Sequence, residues 1–200
     1  MSKRGKFIVV EGLDGCGKST QVSLIADFLE GEGKSVLLTK EPTDKPPIGN
    51  LIRKVLKKEI SLDPLTLQLL FFADRQEHVK NVILPALESG DWVISDRYFY
   101  STIAYGAMDI PLNWLVETSK MFLKPDIVFL LRVKPKRCLE RIGKDKKRNG
   151  TEFFERLDKL ENVWRNYLEV HRTFLEVKII AGERQPEEVF EEIKFHLNNL

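Results

Sequence analysis

The sequence predicts an α/β chain, a five-stranded parallel sheet flanked by helices in three layers. Three observations carry this. Short strand-like runs recur at 6–11, 35–39, 92–96, 127–133 and 177–181. Helical patterns fill every interval between them, which is the alternation of a parallel sheet covered on both faces. A glycine-rich stretch stands between the first strand and the first helix, where such sheets place an anion site.

Phe7-Ile8-Val9-Val10 opens the chain as a β-branched run fit for a buried parallel strand. The helix that follows, about 17–30, repeats Val22, Leu24, Ile25, Phe28 and Leu29 at helical spacing until Gly31 and Gly33 stop it. Further helices are expected over 48–58, 64–88, 98–106, 112–122, 135–143, 151–174 and 186–198. Pro64 suits a first turn, with Asp63 as its cap. In 151–174, Phe153, Leu157, Leu160, Trp164, Tyr167 and Phe174 trace one apolar stripe, read as core. Right-handed crossovers would gather the loops at the carboxyl ends of the strands, near the point where strand order reverses.

Bulk properties bound the rest. The 200 residues, 42% hydrophobic and 31% charged, suit one soluble domain spanning 1–200. No apolar run reaches the roughly 18 residues of a membrane span, and the N-terminus lacks a signal-peptide core, so a cytoplasmic protein without membrane contact is expected. Cys16 and Cys138 sit in no metal-ligand pattern, and a structural disulfide is not expected. The net charge is only +2, yet Arg132–Arg148 holds nine Lys/Arg against two Asp/Glu. That distribution does not suit a nucleic-acid binder; it suits either a solvated helix face or a mobile basic segment closing over polyphosphate.

Gly12-Leu13-Asp14-Gly15-Cys16-Gly17-Lys18-Ser19-Thr20 matches the phosphate-binding loop pattern, so the three-layer sheet is expected to be a P-loop NTPase fold. Glycines let successive N–H groups turn inward on phosphate oxygens, Lys18 adds a charge near the β- and γ-phosphates, and the Ser19 hydroxyl suits Mg²⁺. The strand 92–96 runs into Asp96-Arg97-Tyr98. Asp96 at a strand tip can hold Mg²⁺ through water, and Arg97 can clamp phosphate oxygens. In Phe71-Phe72-Ala73-Asp74-Arg75, either phenylalanine shares a face with Arg75, and an aromatic face beside a guanidinium can read a base. Spacing does not decide which one stacks.

These residues together resemble the thymidylate kinases of the nucleoside monophosphate kinase group, from Phe7 to about Leu168. The motifs, in order, are Glu11 to Thr20, Glu41-Pro42, Leu70 to Arg75, and Asp96-Arg97-Tyr98 followed by Ser101 and Ala104-Tyr105. The resemblance implies ATP- and Mg²⁺-dependent phosphorylation of dTMP to dTDP by a homodimer. It implies that Asp14 meets the acceptor sugar and helps organise the metal site, Phe71 stacks on thymine and Arg75 bonds its O4. Tyr105 would crowd the 2′ position, Glu41-Pro42 would shape the pocket wall, Ser101 belongs to the same motif, and Arg53 would reach toward the acceptor. Lys18 and Arg97 would bracket the phosphates.

Gly15 stands where some members carry an arginine, and members with glycine are similar in placing catalytic arginines in a mobile lid, here about 137–151. Arg141 and Arg148 are the candidates, with Arg137, Lys144, Lys146 and Lys147 as helpers. Gly106 replaces a glutamine that often helps read thymine; Asn149-Gly150-Thr151-Glu152 keeps only the glutamate of an Asp-Arg-x-Glu pattern; Arg132 and Lys134 replace acidic residues. The rival expectations are a kinase for dUMP, another monophosphate or a deoxynucleoside, for which Glu41 would be the base, and a non-catalytic ATP-gated binding protein.

Overall fold

Strands β1 (Phe7–Gly12), β2 (Val36–Lys40), β3 (Trp92–Asp96), β4 (Ile127–Arg132) and β5 (Val177–Ala181) form one parallel sheet in the order β2-β3-β1-β4-β5. The computed structural model describes residues 4–144 and 156–200. All of β1 is buried, as is β4 up to Arg132, which is why both read as unbroken apolar runs rather than alternating ones. The edge strand β2 is more open and leaves Leu38 exposed.

Helix α1 (Lys18–Gly31) leads from β1 to β2, while α5 (Phe99–Gly106) and α6 (Leu112–Ser119) lead from β3 to β4 on the other side of β1. The strand order therefore reverses between β1 and β3, opening a crevice at their carboxyl ends. Register keeps those ends level: Val10 and Lys40 both pair with Asp96, so the loop after β1, Glu41 and Arg97 leave the sheet at one edge.

Between β2 and β3 lie α2 (Ile48–Leu56), α3 (Pro64–His78) and α4 (Leu84–Ser89). Asp63 caps α3, accepting from the amides of Leu65 at 2.9 Å and Thr66 at 3.3 Å. The helix expected over 64–88 is not one α-helix, because a π-turn over Val79–Ile83 separates α3 from α4. Pro85 explains it: the residue has no N–H to donate, its ring would collide with the carbonyl of Asn81, and the wider turn absorbs both.

Helices α7 (Pro135–Lys144), α8 (Leu157–Thr173) and α9 (Pro186–Leu197) complete the cover, with α8 packed on α5 and α9 on α1. Leu160, Val163, Tyr167 and Val170 bury the inner face of α8. Leu157, expected in that stripe, is 42% exposed at the helix's first residue, and Phe153 lies outside the described residues. Cys16 and Cys138 are buried and free. Among the described residues no helix is long and apolar enough to cross a membrane.

Candidate active site

The turn after β1 needs glycine for conformation. Gly12, Gly15 and Gly17 have φ of +141°, +77° and +103°, a region that side chains disfavour. Gly17 precedes α1 with no side-chain cap, and α1 has no acidic residue in its first turn. The positive dipole end of α1 thus faces the crevice, which is the make-up of an anion seat. Leu13 and Cys16 turn into the core and anchor the loop from behind. Burial raises the Cys16 thiol above its ordinary range, and Cys138 is pushed up to about 12 by burial, so neither is a ready thiolate. Lys18 folds over the loop, donating from Nζ to the carbonyls of Leu13 at 3.0 Å and Gly12 at 3.3 Å. Ser19 Oγ donates to Asp96 Oδ2 at 3.0 Å, bringing two oxygen ligands together from α1 and β3. A hydroxyl and a carboxylate brought together beside the phosphate turn are a donor set that suits Mg²⁺.

Arg97 joins the phosphate loop to the opposite wall. It adopts φ +74°, and its guanidinium donates to Asp14 Oδ1 at 2.5 Å, Ser101 Oγ at 2.8 Å and the Gly12 carbonyl at 3.1 Å. Its Cζ lies 5.2 Å from the Tyr105 ring centre, and Tyr105 Oη reaches Asp14 Oδ2 at 3.3 Å. Burial opposes the charge on Arg97, but Asp14, then Tyr105, Tyr167 and Glu11, outweigh it and hold the guanidinium well above its usual range. Glu11 sits beneath, 1% exposed, accepting from the amides of Tyr98 at 2.8 Å and Ser101 at 3.1 Å, and from the hydroxyls of Ser101 at 2.6 Å and Tyr167 at 2.8 Å. Burial raises its pKa, with Arg97 and the hydrogen bonds opposing.

The far wall is a buried ionic network. Arg75, 1% exposed, donates from Nε to Glu41 Oε2 at 2.7 Å and from Nη2 to Thr102 Oγ1 at 2.9 Å. Glu41 Oε1 meets His78 Nδ1 at 3.0 Å, and Asp74 holds the amide and hydroxyl of Thr43 at 2.7 and 2.6 Å. The loop after β2 is thereby fixed at both ends of one helical turn of α3. Arg75 Nη1 is buried with no hydrogen-bond partner among the described residues. A guanidinium so desolvated and held keeps the N–H groups of Nη1 for whatever enters the crevice. The two phenylalanines now separate: Phe72 packs against Trp114 and Phe122 in the core, while Phe71 lines the cavity. Arg53 also lines it, donates to the Pro42 carbonyl at 2.7 Å and pairs with Asp44.

These groups enclose a cavity of about 510 Å³ running from Lys18 and Ser19 past Asp96, Arg97 and Tyr105 to Glu41, Pro42, Arg53, Phe71 and Arg75. Helix α7 closes over the other end. Arg141 donates to the carbonyls of Cys16 at 3.1 Å and Gly15 at 3.5 Å, and a Cβ on Gly15 would stand 2.5 Å from the Cys138 carbonyl. Arg148, Lys146 and Lys147 lie outside the described residues. A second cavity of about 540 Å³ lies behind the loop, lined by Thr20, Arg137, Arg141, Glu183, Arg184 and Gln185 among others. Sequence reasoning missed this cavity, along with Thr102, His78, Gln68 and the hydroxyl of Tyr167. Tyr167 belongs to an apolar stripe, and only its contacts reveal a polar use. Glu11, a carboxylate inside a buried strand, was the one readable signal.

Comparison with known proteins gives the family of the chain. The family model described as thymidylate kinase matches residues 10–193. A probable thymidylate kinase of Pyrococcus horikoshii is 43% identical over 95% of this chain and 94% of its own length. The thymidylate kinase of Caldicellulosiruptor saccharolyticus is 36% identical over 98% of both chains. Among solved structures, thymidylate kinase from Candida albicans superposes with a TM-score of 0.83 at 28% identity, covering 100% of this chain and 93% of that one.

Proposed function

Since the chain belongs to the thymidylate kinase family, we propose that it transfers the γ-phosphoryl group of ATP to dTMP, giving dTDP and ADP. The observation that most supports this acceptor is Arg75, whose buried Nη1 lacks a partner in the wall faced by Phe71. A base stacked on Phe71 would satisfy that donor with a carbonyl oxygen such as O4.

ATP lies with its phosphates in the turn from Gly12 to Thr20, and its nucleoside end occupies the second cavity. The acceptor lies across Arg97, its sugar against Asp14 and Tyr105 and its phosphate near Arg97 and Arg53, with Glu41-Pro42 and Ser101 shaping the wall. Mg²⁺ held by Ser19 and, through water, Asp96 would supply charge neutralisation at the phosphates. A phosphate oxygen of dTMP attacks the γ-phosphorus in line as the bond to the β–γ bridging oxygen breaks and ADP leaves. That oxygen is already anionic near neutral pH, so no strong base is needed. Lys18, Arg97 and Arg141, with Arg148 from the lid of about 137–151, stabilise the charge on the transferred group. Lid closure keeps water from competing with the acceptor. Leu65 and Leu69, exposed one turn apart on α3, provide an apolar face for a homodimer.

A coupled ADP-release assay with ATP, Mg²⁺ and dTMP, dUMP, dCMP, AMP or thymidine, with products identified directly, tests the reading. Selective dTDP formation is expected. Equal use of dUMP would retain the reaction class and remove the base preference; ATP binding with transfer to no acceptor would overturn the kinase reading.

A further inference from the structure

Gln68 lies on α3, three residues before Phe71 and seven before Arg75, so all three share one face of the helix. All three line the same cavity. Gln68 is 5% exposed, and its Oε1 is buried without a hydrogen-bond partner among the described residues. A buried carboxamide oxygen left without a partner costs stability, which calls for a compensating partner in the working state. The side chain runs against Gly106 at the end of α5: a Cβ there would stand 2.9 Å from Gln68 Cδ and 2.9 Å from Oε1. Glycine at 106 is thus the space the carboxamide uses. Gly106 has no positive φ, so backbone conformation does not demand glycine there.

We propose that Gln68 is a specificity-determining residue of the acceptor pocket, its carboxamide accepting the N3–H of the pyrimidine while Arg75 donates to O4. This rests on the dTMP reading above. A half-turn about the last side-chain torsion exchanges the oxygen and nitrogen of a carboxamide at little cost, so Gln68 can present its oxygen to the base. Arg75, tied to Glu41 and Thr102, can only donate. A donor and an acceptor side by side match the imide edge of thymine or uracil. Cytosine offers an amino group where Arg75 needs an acceptor and a bare N3 where Gln68 needs a donor. With no side chain at Gly106, the room beside the base is left to Gln68 of α3.

The test uses Gln68→Met, which keeps length and packing without hydrogen bonding, and Gly106→Ala, whose methyl would displace the carboxamide. Steady-state transfer to dTMP, N3-methyl-dTMP and dCMP is measured for each, with thermal unfolding recorded alongside. Both variants should raise KM for dTMP about three- to tenfold, the worth of one hydrogen bond, with the effect on KM rather than kcat. The dTMP-over-dCMP preference and the N3-methyl penalty should shrink by a similar factor, which a purely structural role would not produce. Unchanged KM for dTMP with an intact N3-methyl penalty in either folded variant overturns the assignment while leaving the kinase reading standing. Absence of transfer to dTMP by the unsubstituted protein overturns both.

Discussion

The phosphate side of the crevice presents backbone, from three glycines at positive φ and the open N-terminus of α1, whereas the acceptor side presents side chains drawn from β2, α3 and α5. Backbone recognition depends on local conformation, so nine consecutive residues encode it. Side-chain recognition depends on tertiary placement: Glu41 and Arg75 are 34 positions apart, and Glu11 and Tyr167 are 156 apart. The first kind depends on the glycines and the helix start, and the second depends most on its buried charged members.

The largest expected effect should separate stability from chemistry. Glu41→Ala leaves Arg75 buried without its carboxylate, which should cost about 3–5 kcal/mol, read by urea unfolding. Lys18→Ala should do the reverse, lowering kcat by about 10²–10³-fold with the unfolding midpoint nearly unchanged. If Glu41→Ala unfolds like the parent, the acceptor wall is not the cooperative network described here. Arg141→Ala should lower kcat by about tenfold or more, because its guanidinium sits over the loop carbonyls; an unchanged turnover would remove α7 from the chemistry. Tyr167→Phe should cost only about 1 kcal/mol, since Glu11 keeps three other donors.

The smallest signal is a pH slope. Because burial raises the folded pKa of Glu11 above the ordinary carboxylate value, its stabilising contribution is full below that value and is lost as pH rises through the folded pKa. The melting-temperature difference between the parent and Glu11→Gln should therefore move against the parent as pH is raised from about 4 upward. A flat difference would mean that the hydrogen bonds offset burial completely.

Legibility followed the same division. All five strands and the phosphate turn were readable because each depends on neighbours in sequence. Asp63 as a cap and Pro85 as a disturbance are equally local, yet the helix expected over 64–88 overlooked Pro85. Periodicity placed Phe71 and Phe72 on the face of Arg75 without choosing, since the choice rests on Trp114 and Phe122 from distant segments. Tyr167 reads as core because it falls in an apolar stripe at helical spacing, and nothing near it in sequence announces that its hydroxyl meets Glu11. Gln68 is invisible for the same reason: its partner in packing, Gly106, is an absence of side chain.

The contact between Gly15 and α7 has an evolutionary consequence. With a Cβ at residue 15 only 2.5 Å from the Cys138 carbonyl, and φ at +77°, no side chain fits there while α7 keeps its seat. A lineage exchanging lid arginines for one in the loop must first withdraw α7, losing Arg141 from its perch before the replacement can arrive. The intermediate would carry neither arginine in place. Under the role proposed for Arg141, turnover would fall along such a path before any gain, so the exchange calls for coordinated rather than single steps.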